Sequence, residues 1–339
     1  MSCTGSMKYA FVMFTGRTVA AAGSTAQASG VKCLQPAQTS RGSRGTQWSV
    51  DEIDWVDVAR RNARSVQTTI GWIFWDPGAV ARYERLGLAG PLGYIASRAA
   101  PLGSAGAEAT IAAFGSISPF GIRMAFHVVE SGGIDLDEVW RARDEAVLEG
   151  LAAYAPAIIE PLVEFGSKLW PIVEQLPTVS RVFFGAHLRM SRPTDPVLSG
   201  WHAVNCLREW RGDTHWSVVS AAGLTGIEVS ILHNAWLGYE RDWLARSRGT
   251  DDADLAAAWT SLRARGLADD DDVTASGVAL RQQIEDDTDR LTTLPWELLG
   301  IDDARDFAER FEPPCELLLK RVDETAGPNY QPASRLRTR

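Results

Sequence analysis

The stretch that decides the fold class is Gly266-Leu267-Ala268-Asp269-Asp270-Asp271-Asp272-Val273-Thr274-Ala275-Ser276-Gly277. It follows a helical pattern over residues 252–265 and precedes another that carries Leu280 and Ile284. Short apolar points flank a polar turn, and Thr274 has the side chain and the position of a helix N-cap. This order is typical of a winged helix: a helix that ends at a Gly-Leu pair, then a polar hairpin, then a capped helix. The sequence therefore predicts a small β-hairpin wing between two helices.

Outward from this stretch, nearly every segment has a helical pattern. Asp76-Pro77 is an N-cap followed by a proline in the first turn, where the missing N–H costs nothing. Further helices are expected at residues 93–98, 106–114, 119–128, 135–150, 157–175, 200–210, 215–222 and 225–237. The predicted fold class is mainly α, a winged-helix or helix-turn-helix scaffold. The wing region also resembles that of bacterial multiple-antibiotic-resistance-type regulators.

Composition shifts along the chain predict its domain organisation. Residues 1–48 contain no Asp or Glu and five basic residues, and they are rich in Ser, Thr, Ala and Gly. We interpret them as a disordered leader or as a misassigned start. A capping-box pattern at Ser49–Glu52 opens the body. The stretch 177–199 contains three prolines and reads as a linker. The expected parts are a leader (1–48), an N-terminal helical domain (49–176), the linker (177–199), a winged-helix-like domain (200–311) and a tail (312–339).

Charge and composition exclude several functional classes. The 339 residues include 34 Lys and Arg against 43 Asp and Glu, a formal net charge of -9. Because the leader is basic, residues 49–339 alone carry -14. No apolar run approaches the roughly 20 residues of a membrane-spanning helix, and the four cysteines form no pattern typical of a disulfide scaffold. We expect a cytoplasmic protein without membrane contact.

A weak internal repeat suggests two related halves. Arg98 opens a Gly/Ala-rich turn and helix, and Trp140 follows on a later helix. Arg211 opens a similar turn, and Trp259 follows in the same way. Chance similarity among alanine-rich helices explains the pattern equally well. Related halves favour a pseudo-dimeric monomer, whereas a single winged unit favours a homodimer.

One polar cluster, residues 201–215, differs from the rest of the chain. Five of the 13 tryptophans lie between residues 201 and 243, as do three of the five histidines. Arg211-Gly212-Asp213 is expected to turn the chain between two helices, because glycine accepts positive φ. Arginines here can each bind a carboxylate of the protein or of a ligand. The candidate ligand-binding or catalytic residues are Arg98, Arg208, Glu209, Arg211, Asp213, His215, Glu228 and His233.

Three interpretations of this cluster stay open. The charged side chains could form a buried ion-pair network that joins helices, since buried charges need partners. They could form a ligand or catalytic pocket, with histidine as acid or base and tryptophans as apolar walls. They could bind a metal through His202, His215 and His233, although spacings of 13 and 18 match no compact ligand motif. No phosphate loop or dinucleotide motif is present, so the cofactor is unknown.

At this cluster the sequence resembles an actinobacterial family labelled SalK-like, or simply a helix-turn-helix family. The central matching residues are Trp201-His202-Ala203, Leu207-Arg208-Glu209, Arg211-Gly212-Asp213, His215, Ala222-Gly223-Leu224, Glu228 and Leu232-His233. Flanking matches are Arg98–Gly103, Leu262–Leu267, Thr274, Gly277 and Pro295-Trp296. The resemblance covers about residues 52–311 and implies a winged-helix fold. This chain departs from it at Trp210, where the family usually has histidine, and at Thr214, where glycine is typical. The first departure weakens a metal interpretation.

The charge distribution decides between the functions that such a scaffold offers. From Thr250 to Leu299 there are 12 acidic and four basic residues. Four consecutive aspartates in the presumed wing oppose contact with DNA phosphates, which proteins neutralise with Lys and Arg. The preferred hypothesis is therefore a small-molecule pocket, binding or catalytic, built on the Arg-Gly-Asp-Thr-His cluster. The alternatives are a ligand-responsive DNA-binding regulator and a structural ion-pair cluster in an interaction protein.

Overall fold

A computed structural model describes residues 53–270 and 272–337. The predicted leader, residues 1–48, and the capping pattern at 49–52 lie outside the described residues. The α-helices of the described part are α1 (Trp55–Gly71), α2 (Pro77–Arg85), α3 (Pro91–Ala99), α4 (Gly106–Phe114), α5 (Pro119–Gly132), α6 (Leu136–Tyr154), α7 (Ile159–Val173), α8 (Val182–Leu188), α9 (Pro196–Ala221), α10 (Gly226–Leu237), α11 (Trp243–Ser247), α12 (Asp252–Ala264), α13 (Ala275–Leu291), α14 (Leu294–Leu299) and α15 (Ile301–Thr325). Short 3₁₀ turns occupy Trp72–Trp75, Ala100–Ala105, Pro156–Ile158 and Pro332–Ser334.

The mainly α class is confirmed, and two predicted caps are present in atomic detail. The Asp76 carboxylate accepts a hydrogen bond from the Gly78 amide at 2.8 Å, at the start of α2. The Thr274 hydroxyl accepts one from the Gly277 amide at 3.3 Å, at the start of α13. Each cap satisfies a backbone donor that the first helical turn leaves free. Helix α1 begins at Trp55, and Asp54 caps it.

The predicted β-hairpin wing is not formed. The described residues contain no β-strand, and a single antiparallel bridge joins Ala268 to Val273. Because α12 ends at Ala264 and Thr274 already caps α13, few residues remain for two strands. Asp269 and Asp272 instead close a tight turn, in which the Asp272 amide donates to the Asp269 carboxylate at 2.8 Å.

Helix α9 corrects the prediction of two helices with a turn at residues 211–213. It runs unbroken from Pro196 to Ala221. Gly212 costs an α-helix only about 1 kcal/mol, which packing on both sides of α9 outweighs. Thr214 donates back to the Trp210 carbonyl oxygen at 2.8 Å and so stays within the helix. The predicted linker, residues 177–199, also contains a helix, α8.

Two hydrophobic core clusters organise the part of the protein around α9. The larger one joins α1, α6, α7, α9 and α15. The smaller one joins the end of α9 to α10, α12 and α13. Helices α7 and α9 pack closely, since a Cβ on Gly200 would lie 1.9 Å from the Leu162 carbonyl oxygen. The smaller core takes its buried residues from 219–284, whereas the larger core includes residues of both predicted domains, and the two-domain division stays a prediction.

The residues from Ile53 onward belong to one unit by their contacts. Within the described residues, no single helix is both long and apolar enough to cross a membrane; the pair Leu136–Tyr154 and Pro156–Val173 reaches that length only across a bend of 113°.

Candidate functional site

The first charged centre surrounds Glu209 on α9. Its side chain is buried, and its carboxylate accepts a hydrogen bond from Arg98 at 3.1 Å and another from the neighbouring Arg208. The Arg98 guanidinium also lies over the rings of Phe114 and Phe183, with its central carbon 4.4 and 4.7 Å from their centroids. The structure thus brings together three predicted site residues, Arg98, Arg208 and Glu209.

Opposing electrostatic effects act on this centre. Burial alone raises the pKa of Glu209, but the charges of Arg208 and Arg98 outweigh it and hold the pKa at about 2. Burial lowers the pKa of Arg208 in spite of its neighbour Glu209. The carboxylate is therefore ionised at neutral pH and bridges two buried cations, which makes this centre an ion-pair network between α3 and α9.

A second charged centre lies about half a turn to two turns further along α9. Arg211 donates to Asp289 of α13 at 2.7 Å and to Glu285 at 3.3 Å. His215 Nδ1 lies 3.2 Å from the Thr288 hydroxyl and 4.0 Å from the Glu285 carboxylate. Arg281, one turn earlier on α13, forms an ion pair with Glu285. This centre joins α9 to α13.

His215 and Glu285 are only partly buried. Burial lowers the pKa of His215 to about 3, and it likewise opposes the ionisation of Glu285, although Arg281 and Arg211 keep the pKa of that carboxyl low. Yet 20% of the His215 side chain and 23% of the Glu285 side chain remain exposed. Both side chains are therefore largely surrounded by protein and still reach solvent.

His233 approaches the same centre from α10. It is buried, and burial, with the nearby charge of Arg281, lowers its pKa well below the usual value. Its ring lies 5.7 Å from that of Trp236, and the Arg281 guanidinium lies 5.3 Å from the same tryptophan. His215 and His233 are therefore neutral neighbours within one mixed aromatic and ionic site.

Two arginines of this site were missed by the sequence analysis. Arg281 is 1% exposed, and its Nε and Nη1 have no hydrogen-bond partner in the described part of the chain. Arg248, in the turn after α11, donates to the Ser230 hydroxyl of α10 at 2.7 Å. The spacing of Arg281 and Glu285, four residues apart on one helix, could have indicated the first. The sequence around Arg248 carries no comparable signal.

Asp213 and Glu228 are placed in structural contacts apart from these centres. The Asp213 carboxylate accepts a hydrogen bond from the Phe184 amide at 2.9 Å, and burial raises its pKa to about 7. It thereby ties the first turn of α8 to α9. Glu228 completes a capping box with Thr225, and its carboxylate accepts from the Thr225 amide at 2.7 Å.

The structure does not bring the three histidines of the metal interpretation together. His202 and His215 are 13 residues apart on one α-helix, about 20 Å along its axis. The His202 ring packs instead beside Trp140, Trp170 and His187, and its Nε2 lies 3.0 Å from the His187 carbonyl oxygen. In the described part of the chain, no group of three His, Cys, Asp or Glu side chains is arranged to hold a metal ion.

Helices α11 and α12 have the order and spacing of a helix-turn-helix. Four residues, 248–251, join them, and Gly249 adopts a φ of 83° that favours glycine. The second helix would face DNA in such a unit. Its first turn carries exposed Asp252 and Asp254. Arg246 pairs with Asp252 at 2.8 Å, so its charge is already compensated.

The described part of the chain consists of α-helices joined by short turns, as in helix-turn-helix proteins. A family model described as "Helix-turn-helix family" matches residues 59–324, and the chain belongs to that family. No curated protein matches the chain, and no solved structure matches it.

Proposed function

We propose that this helix-turn-helix protein binds a small molecule in a crevice between α9, α10 and α13, where His215 and Glu285 reach solvent. The observation that supports this is the state of His215 and Glu285, which are strongly desolvated and yet partly exposed. Ligand sites combine apolar walls with a few polar groups that converge on one point. Trp236 supplies such a wall, and His233 and Arg281 supply further polar groups.

The protonation of the histidines favours binding over acid–base catalysis. An effective general base has a pKa near the working pH. His215, with a pKa lowered to about 3 by burial, is neutral at pH 7 and only weakly basic. We therefore assign His215 and His233 to hydrogen bonding with the ligand. Arg208 and Arg211, which the sequence suggested as anion ligands, are already paired with Glu209 and Asp289.

Family membership supports a second candidate, a DNA-binding regulator. In that function α12 would enter the major groove. Its exposed residues Asp252 and Asp254 would meet the phosphates with like charge, which opposes binding. Arg265, beyond the end of α12, donates to the carbonyl oxygens of Ala222 and Gly223 at 2.9 and 2.8 Å. The acidic surface is the reason for which we place small-molecule binding first.

Finer expectations belong to the same proposal. They are a SalK-like, actinobacterial relationship, a cytoplasmic location, and assembly as a homodimer or as a pseudo-dimeric monomer. We also retain the interpretation of Arg98, Arg208 and Glu209 as a structural network that positions α9 beside the crevice.

Two measurements on the full chain test the proposal. Native mass spectrometry, with extraction of the denatured protein, detects a co-purified small molecule. Fluorescence anisotropy at about 150 mM salt, where non-specific contacts are largely screened, measures binding to the DNA upstream of its gene. We expect a bound small molecule, or binding of one from a metabolite library, and weak DNA binding. Tight site-specific DNA binding with no small-molecule ligand would overturn the proposal.

A variant pair separates a ligand role from a structural one. His233→Gln should weaken ligand binding and leave the protein folded, because glutamine is also a neutral hydrogen-bonding group. His127→Gln, at an exposed position of α5, is the control and should bind the ligand as the unmodified protein does. If both variants bind equally, the crevice is not the binding site.

A further inference from the structure

Arg248 is anchored in place without a counter-charge. Its Nη1 donates to the Ser230 hydroxyl at 2.7 Å, and its carbonyl oxygen accepts from the Ser118 amide at 2.9 Å. Ser230 lies one turn before His233 on α10, so both side chains share one face. No carboxylate among the described residues forms an ion pair with Arg248. A partly buried guanidinium held in this way is a cation that lacks its partner.

The charges of two other arginines act on Arg248. Burial, together with the charges of Arg281 and Arg98, lowers the pKa of Arg248 to about 10, whereas Tyr94 acts in the opposite direction. Arg98 and Arg281 each have one carboxylate partner, Glu209 and Glu285. Nevertheless, Arg98 Nε and both Nε and Nη1 of Arg281 are buried without a hydrogen-bond partner in the described chain.

Unpaired buried donors and an uncompensated charge are costly. An unsatisfied buried polar group costs about 1–3 kcal/mol, and more when it is charged. A bound oxyanion would remove these costs together, because guanidinium groups match carboxylate and phosphate oxygens in geometry and charge. Glu285 and Glu209, the carboxylates that face this point, are each engaged by two arginines already.

We propose that Arg248, with Arg281 and Arg98, forms a subsite for the carboxylate or phosphate group of the crevice ligand. The inference rests on the proposed small-molecule function and adds the chemical class of the ligand. It also moves the anion contact from Arg208 and Arg211 to three other arginines. The Tyr94 ring, 6.3 Å from that of Phe114, provides an apolar side for the rest of the ligand.

Thermal unfolding in the presence of simple anions tests the subsite. The full chain is heated with 20 mM potassium phosphate, 20 mM potassium benzoate, or potassium chloride of equal ionic strength. For a Kd of about 1 mM, a Tm rise of about 3 °C is expected over chloride for a folded unit of this length. A response to phosphate alone identifies a phosphate ligand, and one to benzoate alone identifies a carboxylate ligand.

The matched variants are Arg248→Gln and Arg246→Gln. Arg246 is exposed by 53%, lies two residues away and pairs with Asp252. Arg248→Gln keeps a donor for Ser230 and should lose the anion-induced rise in Tm, without a lower Tm in chloride. Arg246→Gln should respond like the unmodified protein. Arg248→Lys, which keeps the charge, should retain part of the rise and covers the case in which Arg248→Gln does not fold.

Two results would overturn the subsite. One is an equal anion response in Arg248→Gln and the unmodified protein. The other is no response to either anion while a neutral small molecule binds in the crevice. The second result would leave the proposed function intact and remove only the anion class. No binding of any small molecule would remove both.

Discussion

The buried carboxylate of Glu209 offers a sharp test of the ion-pair network. Glu209→Gln keeps the size of the side chain and removes its charge. Arg98 and Arg208 would then face each other as buried cations without a counter-charge, since both pair with Glu209. We expect a large loss of stability rather than a change of fold.

The magnitude follows from the pKa of Glu209. Its value falls from 4.5 in an unperturbed carboxyl to about 2 in the folded protein. At 1.36 kcal/mol per pKa unit, the network stabilises the ionised carboxylate by about 3 kcal/mol. Removal of one partner from a buried pair typically costs about 3–5 kcal/mol. The two figures agree, and for a folded unit of this length they correspond to a fall in Tm of about 5–8 °C.

Urea and thermal unfolding at pH 7 measure this loss. The control is Glu316→Gln, whose side chain is 57% exposed and pairs with Arg64 at the surface. It should cost less than about 1 kcal/mol. The unmodified protein should also lose stability as the pH falls from about 4.5 towards 2, because the folded pKa of Glu209 is the lower one. A loss in Glu209→Gln no larger than in the control would refute the reasoning.

Three further predictions concern packing and protonation. Burial lowers the pKa of His202 to about 3, so this side chain stays neutral in the folded protein while the unfolded chain binds a proton below about pH 6.5. The free energy of unfolding should therefore fall with acid by up to about 1.4 kcal/mol per pH unit. In denaturant titrations between pH 4.5 and 6, the unfolding free energy of His202→Asn should depend less on pH than that of the unmodified protein. Thr274→Ala removes the cap of α13 and should cost about 1 kcal/mol in urea unfolding, whereas Thr260→Ala on the exposed face of α12 should change stability by less than about 0.5 kcal/mol. In Gly226→Ala the new Cβ would lie 1.7 Å from a backbone carbonyl oxygen and should lower Tm by several degrees, while Gly185→Ala, with open space around it, should not; equal Tm values for these two variants would contradict the packing.

Local signals predicted the helices well. The range 106–114 matches α4 residue for residue, and Asp76 and Thr274 cap the helices that the sequence assigned to them. Caps are short-range interactions, and a sequence displays them directly. The prediction of a β-hairpin wing was wrong because a polar turn with apolar flanks fits a hairpin and a tight turn equally well. The break predicted at Gly212 failed because tertiary packing overrides propensity.

The sequence predicted several residues of the candidate site but not how they are arranged. The sequence singled out His215 and His233, which the structure places in one centre. It also grouped Asp213 and Glu228 with them, although these carboxylates tie α8 and cap α10. Arg248 was missed, since only the fold brings a turn residue beside an arginine of α3. Periodicity reports the face of one helix and says little about which faces meet.

Crystals of the full chain grown with potassium bromide test the central claim most directly, because the anomalous X-ray signal of bromide shows where anions bind. The claim is that solvent reaches a crevice whose arginines lack an anion. The account predicts a bromide peak within about 4 Å of the Arg248 guanidinium, hydrogen-bond distance for so large an anion. Bromide bound at exposed arginines such as Arg246, with none beside Arg248, would contradict it.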